Sequence, residues 1–353
     1  MNVSARHTPI RRSIAILMLT VASATLSAGP ATARERTDSA AVDPPLIVGA
    51  VQFEVAEDIV ADRERFESAI HAAIGRAAEL GSDLVVFPEY QNVFAALIEH
   101  DRFVTALSEL GLSGEQIEQS IDGATGSRRS AVARLFGTLR AHTEFESLHE
   151  LFTSSSKEVS RWMDRAYGRA AAEHAVTVVA GTYFALDDAP DGNPQLKNRA
   201  VVYGPDGERL YEQDKVFLTA FEREIVELSA GDPDDAHGFE VEGWSVGLTI
   251  CRDTYFPVWD EVHDGRDLWI DLRGEGTEYD ASVRERLQDA VPERLMESAV
   301  PYGLTVFLTG EFHGLFWEGR SNAIAAFDDS VERLSEVGSV SEHELLVVEL
   351  DPP

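Results

Sequence analysis

Short apolar runs alternate with amphipathic helical patterns along most of this chain, from Leu46 onward. Leu46–Phe53 is typical of a buried strand, and the next segment places apolar residues at helical spacing, namely Phe66, Ile70, Ala73, Ile74 and Ala77. Later strands are predicted at Leu84–Phe87, Val176–Tyr183, Asn198–Tyr203, Glu208–Gln213, Ser245–Ile250, Leu268–Leu272, Leu304–Leu308, Ala323–Phe327 and Glu344–Leu350, and a later helix at Ser282–Ser298. This mixture favours an α/β fold built in layers over a helical bundle or a β-sandwich.

Two turn-linked strand pairs resemble each other in the two halves of the chain. Gly204-Pro-Asp-Gly207 is a strong turn signal and predicts a hairpin. Asn198–Leu210 aligns with Asn322–Leu334, and the two segments share an asparagine and a Glu-Arg-Leu triplet at the same separation. The repeat suggests two sheets of similar construction.

The chain is long, moderately apolar and strongly acidic. With 353 residues, of which 44% are hydrophobic, it can bury a sizeable core as one large domain or two smaller ones. The 62 acidic residues outnumber the 30 lysines and arginines, which gives a net charge of −32. Since nucleic acids and anionic membranes both require a positive protein surface, neither is an expected partner.

Lysine is nearly absent, while acidic residues are spread along the whole chain. Only Lys157, Lys197 and Lys215 occur. Such a composition indicates a surface adapted to concentrated salt, since about 1 M salt shortens the Debye length to roughly 3 Å and screens self-repulsion. A GC-rich genome would explain the scarce lysine but not the acidic excess. We expect the folded circular dichroism signal to be lost on dialysis from molar salt into dilute buffer; full stability there would contradict this interpretation.

The first 33 residues have the features of an export signal. Three arginines precede an apolar stretch around Ile14–Val21, and Ala31–Ala33 offers a small-residue cleavage site. The apolar stretch is far shorter than the roughly 20 residues that a membrane-spanning helix needs. We therefore predict a signal peptide at 1–33, a polar linker at 34–45 and a folded domain at 46–353. The mature protein is expected to be exported, periplasmic or extracellular, without stable membrane insertion.

The only cysteine of the chain, Cys251, directly follows the apolar run Trp244–Ile250. Two other reactive residues occupy comparable places, since Glu89 follows Leu84–Pro88 and Lys215 follows the predicted hairpin. Taken singly, each has an ordinary interpretation: a buried inert thiol, a surface charge at a strand end and a solvated amine. Taken together, a thiol, a carboxylate and an amine at strand ends can form a covalent hydrolase.

These residue types suit attack on an amide carbonyl. A free thiol with a pKa of about 8.5 is mostly protonated at neutral pH, so it needs a base, such as Glu89, or a nearby cation, such as Lys215. The negative charge that builds on the carbonyl oxygen needs donors, each worth roughly 3 kcal/mol, and the Lys215 ammonium and the Arg252 N–H are the candidates. Glu222, which follows Lys215 closely, is predicted to hold the amine or to assist proton transfer.

Three sequence blocks surround the candidate residues. They are Leu84-Val-Val-Phe-Pro-Glu89-Tyr90, Gln213-Asp-Lys215-Val-Phe-Leu218 and Gly247-Leu-Thr-Ile-Cys251-Arg-Asp253. On these blocks the chain resembles the nitrilase superfamily of carbon–nitrogen hydrolases from Leu46 to Asp351. The resemblance implies a catalytic triad in which Glu89 is the general base, Lys215 the oxyanion stabiliser and Cys251 the nucleophile. It also implies a four-layer α-β-β-α sandwich and a homodimer or higher homo-oligomer.

The residues around the triad differ from the usual superfamily pattern at two places. Phe217 stands where members often have a histidine, and Arg252-Asp253 follows the cysteine where nitrilases often have Trp-Glu. These departures favour hydrolysis of a non-peptide amide or an N-carbamoyl bond. The alternatives are a nitrilase acting on a C≡N bond, an acyltransferase using the same triad and a catalytically silent binding protein. The expected partner is a small amide, carbamoyl or nitrile molecule, and the implied reaction needs no cofactor.

More residues separate Glu89 from Val178 than the superfamily usually has, so residues 92–157 are predicted to be a helical insertion. We expect it to lie near the mouth of the active site, the alternative being a solvated acidic segment or a dimer contact. Tyr90, Glu311 and His313 are candidates for the pocket wall. The ten histidines show no clear metal-ligand spacing and no glycine-rich phosphate loop occurs, so no metal site is predicted.

Overall fold

Strands and helices alternate through the described part of the chain, which in this computed structural model comprises residues 44–60, 62–110, 128–187, 194–312, 315–327 and 330–353. The strands are β1 (Leu46–Val55), β2 (Leu84–Val86), β3 (Thr177–Asp187), β4 (Gln195–Tyr203), β5 (Arg209–Asp214), β6 (Phe239–Val241), β7 (Trp244–Ile250), β8 (Leu268–Arg273), β9 (Tyr302–Phe312), β10 (Leu315–Trp317), β11 (Asn322–Phe327), β12 (Ser330–Glu336) and β13 (Glu344–Leu350). The helices are α1 (Arg63–Glu79), α2 (Asp101–Leu110), α3 (Arg128–His142), α4 (Leu148–Met163), α5 (Arg169–His174), α6 (Ala220–Glu224), α7 (Val258–Val262), α8 (Ala281–Arg286) and α9 (Val291–Glu297). A π-helical turn, Asp164–Gly168, joins α4 to α5.

The strands form two sheets that are joined where the ends of β1 and β9 pair. One sheet has the order β5-β4-β3-β2-β1-β13 and the other β6-β7-β8-β9-β11-β12, with β10 on the end of β9. β1, β2 and β3 are mutually parallel, as are β7, β8 and β9. The residues that follow β2 and β7 therefore lie at carboxyl ends of parallel strands, where α/β sheets carry their functional groups.

An apolar core fills the space between the two sheets. Ala50 of β1 and Leu248 of β7 belong to one buried cluster, as expected for sheets packed face to face. Helices α1 and α4 bury Phe66 and Trp162 against the outer face of the first sheet, whereas α7 buries Trp259 against the second. The layers therefore run α-β-β-α, which confirms the predicted α/β four-layer sandwich.

Both predicted hairpins occur. In the first, Gly204 N–H donates to the Glu208 carbonyl at 2.9 Å, and Gly207 adopts a φ of +84° that its missing side chain permits. In the second, β11 and β12 pair antiparallel. Each hairpin extends one of the two sheets, as the internal repeat suggested.

The prediction of one helix over Ser282–Ser298 is wrong. The structure has α8, then a 3-10 turn at Leu287–Asp289, and then α9 after Ala290, whose φ of −97° and ψ of −128° are not helical. Pro292 lies in the first turn of α9. Proline is tolerated there but would disrupt a helix interior, which explains why the chain restarts the helix at this point.

Several predictions concern parts of the chain that the structure describes only partly. The predicted signal peptide at 1–33, most of the predicted linker at 34–45 and His313 lie outside the described residues. Residues 92–157 are largely helical where described, and their status as an insertion stays a prediction. No helix among the described residues is long and apolar enough to cross a membrane.

Candidate active site

Glu89 lies just beyond β2, and its side chain is fully buried. Its Oε1 accepts hydrogen bonds from Lys215 Nζ at 2.8 Å and from Asn198 Nδ2 at 3.0 Å. Its Oε2 accepts one from the Gly274 N–H at 3.1 Å. Since a buried carboxylate is stable only with such partners, these three donors hold Glu89 in one orientation.

A glycine bulge in β3 supports the backbone beside Glu89. The pairing register of β3 with β4 shifts between Val179 and Thr182, and Gly181 has a φ of +69° within that shift. A Cβ added at Gly181 would lie 2.1 Å from the Pro88 carbonyl oxygen. The neighbouring Thr182 Oγ1 accepts a hydrogen bond from the Tyr90 N–H at 2.8 Å. The bulge thus packs directly against the turn that presents the carboxylate.

Gly181→Ala is expected to lower the free energy of unfolding by about 2 kcal/mol or more, because the added methyl group both strains the backbone and displaces Pro88. Denaturant unfolding in molar salt would measure this. Gly137→Ala is the matched control: Gly137 is exposed within α3 and an added Cβ there meets no atom within 4 Å. Equal stability of the two variants would contradict the expectation.

Lys215 follows β5 and is also fully buried. Its Nζ donates to Glu89 Oε1 and, at 3.0 Å, to Glu222 Oε1. The Nζ also lies 5.5 Å from the centroid of the Tyr90 ring. Burial opposes the charge on the amine, but the Glu222 and Glu89 carboxylates outweigh it and raise the pKa of Lys215. The ammonium form therefore persists inside the protein.

Glu222 occupies the first turn of α6, where a capping box fixes it. Thr219 Oγ1 accepts from the Glu222 N–H at 3.2 Å, and the Thr219 N–H donates to Glu222 Oε2 at 2.7 Å. Oε1 also accepts from the Tyr90 hydroxyl at 2.7 Å. Burial acts to raise the pKa of Glu222, but the Lys215 charge and these donors lower it. Glu222 is thus a permanent counter-charge to Lys215, and Tyr90 belongs to the same buried cluster.

Cys251 is the first residue after β7 and opens the 3-10 turn Cys251–Tyr255. Its backbone has a φ of +52°, a left-handed conformation that residues other than glycine rarely adopt. The residue is partly exposed, and the charges of Glu89, Lys215 and Arg273 act on its thiol. In α/β-hydrolases, a strained turn directly after a strand is where the nucleophile stands.

Burial raises the pKa values of both Glu89 and Cys251. Desolvation raises the pKa of Glu89 to about 7, because the Lys215 charge offsets it only in part and the Glu222 charge adds to it. Burial and the Glu89 charge also raise the pKa of the Cys251 thiol, while Arg273 and Lys215 act in the opposite direction. A carboxylate that titrates near neutral pH can both accept and return a proton there.

Asp253 ties the lysine-bearing loop to the cysteine-bearing turn. Its Oδ1 accepts from the Phe217 N–H at 2.7 Å and from the Val216 N–H at 3.1 Å, and its Oδ2 accepts from the Ile250 N–H at 3.3 Å. Asp253 is completely buried, and desolvation raises its pKa to about 7. The carboxylate therefore fixes the distance between the segments that carry Lys215 and the thiol.

The remaining predicted residues lie in different surroundings. Arg252 has an exposed side chain whose guanidinium carbon is 5.8 Å from the Phe256 ring centroid, and its N–H directly follows the cysteine. Glu311 is exposed on β9 and pairs with Phe316 of β10. His313 lies outside the described residues. Among the described residues, the structure shows no contact of Glu311 with the Glu89 cluster.

The sequence matches a family model described as carbon-nitrogen hydrolase over residues 47–259, an interval that contains Glu89, Lys215 and Cys251. The chain belongs to the carbon–nitrogen hydrolase family. This confirms the resemblance found in the three sequence blocks. No curated protein matches the chain at a significant level.

Solved structures share the fold of this carbon–nitrogen hydrolase at low sequence identity. A cysteine-to-alanine mutant of the amidase from Nesterenkonia sp. AN1, in complex with butyramide, is 16% identical with a TM-score of 0.58, and the match covers 88% of this chain and 92% of that one. Saccharomyces cerevisiae Nit3, a member of branch 10 of the nitrilase superfamily, is 18% identical with a TM-score of 0.55, and the match covers 90% and 93%. A glutamate-to-glutamine mutant of the same amidase, which shows covalent addition of the acetamide moiety of fluoroacetamide at the active site cysteine, is 18% identical with a TM-score of 0.56 over 89% and 94%.

Two features of this carbon–nitrogen hydrolase site are not predicted by the sequence patterns above. Asn198 begins the first of the two repeated hairpins, and its Nδ2 donates to Glu89 Oε1 and, at 2.9 Å, to Glu222 Oε1. Asp271 and Arg273 form a buried ion pair beside the cysteine. The available signal was two opposite charges within an otherwise apolar strand, which a buried strand carries only when they are paired.

One group outside this cluster brings together residue types that can hold a metal ion. Ligand atoms of His71 on α1 and of Glu173 and His174 on α5 all lie within 4.8 Å of one another. The hydrogen bond between His71 Nε2 and Glu173 Oε2, at 3.1 Å, accounts for much of this arrangement without a metal. The group belongs to the helical layer rather than to the strand ends that carry Glu89.

Proposed function

We propose that this protein cleaves a non-peptide amide or N-carbamoyl bond of a small molecule through a thioester on Cys251. The proposal rests on one convergence: Glu89 Oε1 lies 2.8 Å from Lys215 Nζ, and the charges of both residues act on the Cys251 thiol. A base that can take the thiol proton and an ammonium that can stabilise an oxyanion therefore flank one sulfur.

In the first half-reaction, Glu89 accepts the thiol proton while the sulfur attacks the carbonyl carbon. The Lys215 ammonium and the Arg252 N–H stabilise the oxyanion that forms. As the C–N bond breaks, Glu89 returns the proton to the departing ammonia or amine, which leaves a thioester on Cys251. Glu222 holds Lys215 in place throughout.

In the second half-reaction, Glu89 takes a proton from water, and the oxygen of that water attacks the thioester carbon. The tetrahedral intermediate collapses, the C–S bond breaks and the proton held by Glu89 passes to the sulfur. The products are a carboxylic acid, or a carbamic acid from a carbamoyl substrate, and the restored thiol. One residue acts as base and then as acid in both halves, which its pKa of about 7 permits.

Mass spectrometry of short amides, N-carbamoyl compounds and nitriles incubated with the protein in molar salt tests the proposal. We expect acid and amine products with the wild-type protein and none with Cys251→Ala as the blank. Fluoroacetamide should leave a covalent adduct on Cys251. Products from nitriles alone would favour a nitrilase. Transfer of the acyl group to an added amine would favour an acyltransferase. The absence of both product and adduct would favour a silent binding protein.

We also propose that residues 1–33 are cleaved during export and that the domain at 46–353, after its linker at 34–45, acts outside the cytoplasm as a homo-oligomer. The arginines, the apolar stretch and Ala31–Ala33 support export. The exported protein should begin at Arg34, and an intact N-terminus in the exported fraction would contradict this. Light scattering in molar salt should give at least a dimer mass; a monomer would rule out the oligomer.

We propose that residues 92–157 border the active site. Phe152 of α4 packs edge-on against Phe184 of β3, with ring centroids 4.8 Å apart, and Phe184 in turn meets the Tyr90 ring at 6.1 Å. This chain of rings connects the segment to the Glu222 cluster. Phe152→Ala should therefore change kcat/KM unequally for short and long amides, and an equal change for all of them would argue against the proposal.

A further inference from the structure

Two residues of the neighbouring strand hold both backbone polar groups of Cys251. The Cys251 N–H donates to Asp271 Oδ1 at 3.1 Å, and the Cys251 carbonyl accepts from Arg273 Nη2 at 3.3 Å. Asp271 and Arg273 lie on β8, which runs parallel to β7. Residues at positions i and i+2 of a strand face the same side, so both side chains reach the same residue.

Asp271 and Arg273 are themselves locked together. Arg273 Nε donates to Asp271 Oδ2 at 2.9 Å, and Nη2 lies 2.7 Å from the same oxygen. Arg273 Nη1 donates to the Tyr255 hydroxyl at 3.0 Å. Because Tyr255 ends the 3-10 turn that Cys251 begins, one guanidinium contacts both ends of the turn.

Burying the Asp271–Arg273 ion pair costs hydration free energy, which indicates a functional role rather than a stabilising one. Asp271 and Arg273 are almost completely buried, at 0% and 1% exposure. A buried ion pair is commonly no more stabilising than apolar residues of similar volume, because both charges lose their hydration. The cysteine they hold has a left-handed backbone, which costs free energy and persists only where its surroundings enforce it.

We propose that Asp271 and Arg273 form a clamp that positions the Cys251 backbone, aims the thiol at Glu89 and supplies a positive charge beside the thiolate. They are positioning residues, because they act through Cys251 rather than on substrate. The inference rests on the proposed role of Cys251 as nucleophile.

Several charged or titratable groups face the thiol. They are Glu89, Tyr90, Lys215, Tyr255, Asp271 and Arg273. Arg273 and Lys215 favour the thiolate, whereas Glu89 and Asp271 oppose it, and the Arg273 influence on the pKa of Cys251 exceeds that of Asp271. Removing the ion pair as a unit should therefore shift thiolate formation to higher pH.

The test uses two variants of the full-length protein in molar salt. Asp271→Leu/Arg273→Met removes both charges together and leaves no buried charge unpaired. We expect kcat to fall about 100-fold with little change in KM, since a displaced nucleophile loses alignment. The pH dependence of iodoacetamide alkylation, which reports only Cys251 in this chain, should shift upward. Arg273→Lys keeps the positive charge but lacks the several N–H donors of the guanidinium. We therefore expect kcat to fall while the midpoint pH of alkylation stays as in the wild type.

The matched control is Asp260→Leu/Arg294→Met, which removes another ion pair, between the buried Arg294 and the partly buried Asp260, with a 2.7 Å contact and no hydrogen bond to Cys251. A folded Asp271→Leu/Arg273→Met variant with unchanged kcat and alkylation profile would overturn the clamp. If that variant does not fold, an unchanged kcat in Arg273→Lys would contradict the clamp instead. Failure of the clamp and failure of the proposed function can be told apart, because alkylation needs no substrate. If the protein hydrolyses none of the tested substrates but the pH profile of alkylation shifts in the variant, the clamp is supported and the proposed function is not.

Discussion

Glu89→Gln is expected to lower kcat/KM for amide substrates by about 1,000-fold or more, because an amide side chain cannot accept the thiol proton. The fold should be retained. The glutamine oxygen can still accept from Lys215 and Asn198, so the shape and most hydrogen bonds of the site persist. Steady-state kinetics in molar salt measure the effect, and native circular dichroism checks the fold.

The pH profile carries a signature of the same residue. Catalysis needs ionised Glu89, and burial raises the pKa of Glu89 to about 7. The wild-type kcat/KM should therefore fall by about tenfold for each pH unit below that pKa and level off above it. In Glu89→Gln, the residual kcat/KM should not show this decline at low pH, because the titrating carboxylate is absent.

Glu79→Gln is the control for the chemical change, since Glu79 is an exposed residue of α1 paired only with Arg76 among its described contacts. It should leave kcat/KM and the pH profile as in the wild type. If the Glu89→Gln variant keeps most of its activity, or if its kcat/KM still declines below neutral pH, another group is the base.

The sequence predicted the fold, and the candidate residues Glu89 and Lys215 that it selected lie together in the structure. Apolar runs identify buried strands, and Glu89 and Cys251, which directly follow such runs, lie where parallel strands end, whereas Lys215 follows the antiparallel strand β5. Glu89 and Lys215 are 126 residues apart in the chain, yet their side chains meet at 2.8 Å. That meeting depends on the strand order, which the resemblance to a known family supplied and the spacing alone did not.

Features that depend on contacts between distant segments could not be predicted from the sequence. Asp271 falls within the predicted strand Leu268–Leu272 and Arg273 directly follows it, but their partner Cys251 follows the neighbouring strand β7, and the register of the two strands was unknown. Gly181 was part of a predicted strand, yet its bulge exists because the Pro88 carbonyl approaches it. The break at Ala290 had a local signal in Pro292, which the helical pattern around it concealed.

Lys215→Met is expected to lower the free energy of unfolding by about 3–5 kcal/mol above neutral pH, because it leaves two buried carboxylates without their cation. Glu89 and Glu222 are both fully buried, and both Oε1 atoms accept from the lysine at 2.8 and 3.0 Å. Asn198 still donates to both but carries no charge. Urea unfolding in molar salt measures the loss.

The loss should depend on pH with a definite sign. Without the ammonium, the pKa values of Glu89 and Glu222 rise in the folded protein above those in the unfolded chain, so the folded state binds more protons. The variant is therefore least destabilised in acid, and its deficit relative to the wild type grows as the pH rises through the folded pKa values. Lys157→Met, at an exposed position of α4, makes the same chemical change and should leave the unfolding free energy nearly unaltered. A Lys215→Met deficit that is small, or independent of pH, would show that the lysine does not neutralise the two carboxylates.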